Sequence, residues 1–212
     1  MASSADNILH QTQLFTNFTA KQKLIIIAAI EVFAEKGYAA ASTKEIALRA
    51  GVAEGNIYSR FTNKRGLLNA IIAPVLSQMF PDELDDFIKS RLHQDYVSLE
   101  TFLTVLIKDR VTFLKDNAQI IKIVLSELLN DTQVRAQVVD GFTTQYWESM
   151  THDLNAMVKR GLIVDWPLED ILRTMWSMTG GLILVFLYFD QPLDANTVNH
   201  AITAAIKALS PN

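Results

Sequence analysis

The chain has 212 residues, half of them apolar and 20% charged, with a formal net charge of −4 and no cysteine. That is enough chain and enough apolar side chain for a sizeable core in one or two domains, and too much for a disordered polymer. The missing cysteines exclude disulfides, thiolate zinc sites and a cysteine nucleophile, and they suit a reducing compartment.

Residues 1–18 carry no basic n-region and no continuous apolar run, so they are not a signal peptide; they read as a flexible arm whose apolar cluster is Leu14, Phe15 and Phe18. Thr19 and Gln22 form a capping box ahead of Leu24, Ile27, Ala28, Val32 and Phe33 at helical spacing, and Gly37 is the stop. Ser42 with Glu45 makes a second capping box, opening a helix that ends at Ala50-Gly51. A third short helix falls over about 53–60. Asn63 caps a fourth, carrying Leu67, Leu68, Ile71 and Ile72, before Pro74 kinks it or Pro81 stops it. Longer helices follow over 98–115, 118–129 and 131–160, the last with Val139, Phe142, Tyr146, Met150, Leu154 and Met157 on one face. Pro167 opens a helix that runs to 189, and Asp194 caps the final one, whose stripe is Val198, Ile202, Ile206 and Leu209. The expected fold is all-α with about nine helices, a compact bundle of short helices leading a larger bundle of long ones.

The charge is unevenly placed. Residues 19–69 carry eight Lys/Arg against four Glu, a net of +4, whereas residues 70–212 carry eleven basic against eighteen acidic groups, a net of −7. A basic quarter on an acidic body suits a chain in which one small region meets polyanion. The eight glycines give no GxGxxG, GxxxxGK or GxSxG, and the four histidines, at 10, 93, 152 and 200, form no helical pair or HExxH motif. No metal site, no cofactor and no enzymatic activity is therefore expected.

Within 42–61, STKEIALRAGVAEGNIYSRF, the residues Ala47, Gly51 and Ile57 stand where a helix-turn-helix needs a small contact residue, a glycine at positive φ and a buried apolar residue. Ile46, Val52 and Ile57 would pack inward onto Ile30 and Phe33, leaving Glu54, Gly55, Asn56, Ser59 and Arg60 outward and able to approach base edges. An ordinary helical hairpin with a glycine turn fits the same spacing.

Residues 28–71, AAIEVFAEKGYAAASTKEIALRAGVAEGNIYSRFTNKRGLLNAI, resemble the N-terminal domain of the tetracycline-repressor (TetR) family of transcription regulators. The likeness covers about 19–72 and rests on 33–38 (FAEKGY), Ser42/Thr43, Ala50-Gly51-Val52, Gly55, Tyr58, Phe61, and Lys64 with Leu67-Leu68. It implies a flexible arm over 1–18, a DNA-binding domain over 19–72, and an effector-binding and dimerisation domain over 73–212. It further implies that Ser42, Thr43 and Lys44 meet phosphate at a helix N-terminus, that Gly55 and Asn56 lie over base edges, and that Tyr58 and Lys64 bond phosphate. Ala53 stands where the family often has a capping Ser, and Arg60 where it often has His or Tyr, so no relative's operator sequence can be borrowed.

The resemblance also implies a double-stranded DNA operator, a homodimer through 167–189 and 194–209, and a small-molecule effector that releases a cytoplasmic repressor. Residues 174–189 are uncharged and too few for a comfortable membrane span, which points to a buried interface helix or to an intramolecular core helix. Phe102, Leu106, Phe113, Tyr146, Trp147, Met150, Trp176 and Met178 could line an apolar pocket, with Glu127, Asn130, Gln145 or His152 as polar handles. The same stripes would serve as plain core. The competing readings are an all-helical enzyme, an adaptor or a small-molecule carrier in which the helix-turn-helix is only structural.

Overall fold

The structure, a computed structural model, describes residues 14–141 and 144–211. Most of the expected arm and Phe142 lie outside them. The all-α class holds, with no strand among the described residues. In chain order the helices are α1 (Ala20–Ala40), α2 (Thr43–Arg49), α3 (Gly55–Phe61), α4 (Lys64–Pro74), a π-helical turn (Val75–Met79), α5 (Phe80–Arg91), α6 (Leu99–Asp116), α7 (Ala118–Asn130), α8 (Thr132–Gly141), α9 (Thr144–Lys159), α10 (Leu168–Tyr188) and α11 (Ala195–Leu209). Of the helix expected over 131–160, α8 and α9 lie on either side of residues 142–143, which are outside the described residues.

The chain divides into two compact units, Met1–Glu83 with Asp116–Gly141, and Leu84–Lys115 with Phe142–Asn212. This cuts across the division expected at 72/73, and α1 supplies the reason. Ile25, Ile26, Ala28, Ala29, Ile30, Val32, Phe33 and Ala34 are all buried, so α1 is apolar over most of its circumference. α2 and α4 cover part of it, and α7 packs on it as well, joining the first unit. The capping box at Thr19/Gln22 forms as expected, each side chain bonding the other residue's backbone N–H. The arm is less free than expected at its end: Phe15 is 1% exposed and Phe18 stacks on Phe61 at 6.0–6.3 Å from its aromatic neighbours.

Two glycines answer to geometry. Gly51 takes φ +67° in the turn between α2 and α3. At Gly66 a Cβ would stand 2.0 Å from the Phe61 carbonyl oxygen, so only glycine lets the α3–α4 corner close. Asn63 caps α4 by accepting the Gly66 N–H at 2.8 Å. Pro81 does not stop the helix. It sits in the first turn of α5, after a π turn that follows Pro74 and carries the chain through both prolines.

In the second unit α10 packs on α11 and on α9, and Val164 N–H bonds the Leu209 carbonyl, tying the loop before α10 to the end of α11. Asp194 caps α11 through the Thr197 N–H. Val198, Ile202 and Leu209, expected against a symmetry mate, are buried within the chain, because α10 already covers that stripe. Leu184 and Val185 of α10 stay exposed, and only 22% of its most apolar stretch is buried. That outcome disfavours an intramolecular core helix.

Candidate nucleic-acid interface

The turn between α2 and α3 is built from the residues that the spacing singled out. Ala47 and Ile57 are buried, Ile46 is buried beside them, and the Val52 N–H bonds the Ala47 carbonyl at 3.0 Å across Gly51. Ser42 caps α2 by accepting the Glu45 N–H at 3.2 Å. The return half of the expected capping box is replaced, since the Glu45 carboxylate turns to Lys36 at 2.7 Å and Arg49 at 3.8 Å. The N-cap residue of α3 is Glu54 rather than Ala53 and its side chain makes no cap, while the Asn56 amide donates to the Ala53 carbonyl at 3.0 Å.

Four expected contact residues, Thr43, Glu54, Tyr58 and Lys64, are engaged inside the chain. Thr43 is buried and its hydroxyl donates to Glu54 Oε1 at 2.6 Å. Thr43 has one hydroxyl hydrogen, so the Tyr58 hydroxyl, 3.0 Å away, is the donor to Thr43 Oγ1. Glu54 is therefore not an outward base reader but an acceptor that locks α2 to the start of α3. Lys64 donates to the carbonyls of Tyr38, Ala39 and Ala41 at 2.8, 3.3 and 2.9 Å, and its ammonium lies 4.5 Å from the centre of the Tyr38 ring. An ammonium has three hydrogens, and all three are taken by the end of α1, which Gly37 turns at φ +77°. That leaves Lys64 no donor for phosphate.

The basic excess is sorted in the same way. Arg49 binds Glu35 bidentately at 2.7 and 2.9 Å, which lowers the Glu35 pKa and raises that of Arg49. Arg65, on α4, pairs with Glu127 at 3.2 Å and with Asp131, joining α4 to the end of α7. Lys21, Lys23, Lys44 and Arg60 have no partner among the described residues. Lys44 and Arg60 lie on α2 and α3, with Gly55, Ser59 and the half-buried Asn56. Ser59 donates to the Asn56 carbonyl at 3.2 Å. The exposed face of the helix pair thus offers Ser42, Lys44, Gly55, Asn56, Ser59 and Arg60.

The expected effector pocket separates into three parts. Phe102, Leu106, Tyr146 and Met150 are close-packed core of the second unit, and burial raises the Tyr146 phenol pKa. Phe113 is half-buried beneath Arg110, whose guanidinium lies 5.4 Å from its ring. Trp147 and Trp176 stack at 5.5 Å in a surface groove of about 590 Å³ shared with Glu169, Leu172, Arg173 and Ser177. Glu127 belongs to the first unit, where it is paired with Arg65.

A buried small residue, a positive-φ glycine and a short second helix with a polar outer face define a helix-turn-helix protein. Residues 25–71 match the sequence model of the bacterial regulatory proteins, tetR family. The transcriptional regulator YvdT of Bacillus subtilis is 41% identical over 88 residues, which is 42% of this chain and 41% of that protein. The chain spans about two fifths or less of the length of the curated relatives it matches first, at 41%, 27% and 36%. Across the whole chain the fold is similar to that of the fatty acid degradation regulator FadR from Bacillus halodurans, with a TM-score of 0.63 at 21% identity, covering 92% of this chain and 99% of that one. It is also similar to FadR from Bacillus subtilis in complex with stearoyl-CoA, with a TM-score of 0.57 at 21% identity, covering 86% and 96%.

Proposed function

We propose that this protein is a cytoplasmic, homodimeric, sequence-specific DNA-binding transcription regulator, and that it represses until a small molecule releases it. The observation that carries the reading is the α2–turn–α3 face. The internal network of Thr43, Glu54 and Tyr58 fixes the two helices, while Lys44 and Arg60 stay free for phosphate and Asn56, one amide hydrogen of which goes to the Ala53 carbonyl, keeps its side-chain oxygen and second amide hydrogen for a base edge. Two such faces reach successive major grooves when about 34 Å apart, which requires a dimer. The open apolar side of α10 supports one, formed through 167–189 and 194–209, with α10 rather than the α11 stripe as its apolar contact.

Release would run through α4. Arg65 links the first turn of α4 to Glu127 and Asp131 of α7, so a shift of α7 is carried to the helix that follows α3. An effector that displaced α7 would compete with operator through a coupling free energy of about 1–3 kcal/mol. The stearoyl-CoA held by the Bacillus subtilis neighbour, which shares this fold, makes long-chain acyl thioesters the first compounds to try. Selection of bound sequences from random duplex DNA tests the whole reading. A palindrome should be recovered, and recovery of no preferred sequence would overturn it.

A further inference from the structure

His93 and Asp153 are sixty residues apart in sequence and meet in the second unit. Asp153, on α9, is 6% exposed, and its Oδ2 accepts the His93 backbone N–H at 2.8 Å. His93 follows the end of α5 at φ +56°, the left-handed position at which helices commonly end and which glycine or asparagine usually fills. Its Nε2 lies 3.0 Å from Ser149 Oγ, and its Nδ1 lies 3.7 Å from Asp153 Oδ1. The His152 ring stands 5.2 Å from the His93 ring, and one ligand atom from each of His93, His152 and Asp153 falls within 4.8 Å of the others.

A helix-ending hydrogen bond accounts for Asp153 Oδ2 but not for Oδ1. Among the described residues Oδ1 has no hydrogen bond, and 3.7 Å is too long for one to Nδ1. With Ser149 accepting the Nε2 hydrogen, the Nδ1 lone pair faces a buried carboxylate oxygen, an arrangement that a cation shared between them would satisfy. We propose that His93, His152 and Asp153 bind a divalent first-row transition cation of the zinc class. Two imidazoles and a carboxylate suit such an ion and not the oxygen-preferring Ca²⁺ or Mg²⁺. Tetrahedral zinc sets its donors roughly 3.3 Å apart, so the set must contract, and the exposed His152 ring is free to rotate toward the other two. Ser149 is a positioning residue that fixes the His93 tautomer. Three protein donors leave a coordination position open on the exposed, histidine side, where water or an anionic group binds. The ion would staple the end of α5 to α9.

The test is a titration of the chelator-treated full chain with Co²⁺, followed by displacement with Zn²⁺. One Co²⁺ per chain with visible ligand-field absorption is expected. His152→Ala, at an exposed position, should weaken uptake at least tenfold with unchanged helical content, and His93→Asn, which tolerates the left-handed backbone, should do the same. Ser149→Ala should weaken it less, and His200→Ala not at all. Absence of stoichiometric uptake at micromolar protein, or equal uptake by wild type, His152→Ala and His93→Asn, would overturn the assignment.

Discussion

α1, which Gly37 interrupts near its end at φ +77°, and α10 are both long and both rich in apolar side chains, yet they end in opposite environments. α1 buries a continuous run of its middle turns beneath α2, α4 and α7. α10 buries Ile171, Met175, Leu182 and Leu187 against its own chain and leaves Leu184, 53% exposed, and Tyr188, 39% exposed, on the other side. An apolar helix is a demand for burial, and composition does not say which chain answers it. α1 is answered within the protomer; α10, in our account, is answered by a second copy.

The widest separation of the two helices comes from charge burial. Leu184→Glu places an unpaired carboxylate in the proposed dimer contact, at a cost of several kcal/mol, and sedimentation should show monomers with full helical content. Ile30→Ala, deep in α1, should instead lower unfolding stability by about 2–5 kcal/mol and leave the association state alone. If Leu184→Glu unfolds the chain, the comparison fails and α10 is protomer core. A narrower contrast sets two lysines of the first unit against each other. Lys64→Ala strips three carbonyls of a charged donor and should lower stability by about 1.5–3 kcal/mol with little change in the salt dependence of DNA binding. Lys44→Ala should spare stability, weaken binding to all sequences alike and reduce the salt slope by about 1 per chain.

The smallest effect is expected from acid. Asp131 and Asp194 have lowered pKa values, first because the Val134 and Thr197 backbone N–H groups bond their carboxylates, and Glu35 is lowered by its hydrogen bond to Arg49. A carboxyl group lowered in the folded state favours folding above its unfolded value, near 4, and that contribution is lost as pH falls through the lower folded value. Denaturation midpoints should therefore be flat down to about pH 5 and fall below about pH 4. Asp194→Asn, which can still cap α11, should make that fall shallower; an unchanged acid limb would remove Asp194 from the account.

Local signals were legible in the sequence and long-range ones were not. The spacing of Ala47, Gly51 and Ile57 and the caps at Thr19, Asn63 and Asp194 depend on neighbours a few residues away, and the structure reproduces them. Nothing local in the sequence reveals that the end of α1 turns three carbonyls toward Lys64, or that the buried Thr43 hydroxyl, eleven residues earlier, engages the Glu54 carboxylate. The histidine spacing gives no metal motif, and nothing local shows that the end of α5 brings His93 close to His152 and Asp153 of α9. The α11 stripe was a correct pattern whose neighbour, α10 of the same chain rather than a partner, sequence periodicity does not identify.

The central claim is that α3 reads base edges from a rigid helix-turn-helix. It is tested most directly by comparing Asn56→Ala with wild type on the selected operator and on random duplex of equal length, at one salt concentration. The account predicts a loss of about 1–3 kcal/mol on the operator and almost none on random DNA. An equal loss on both, or none on either, would contradict it.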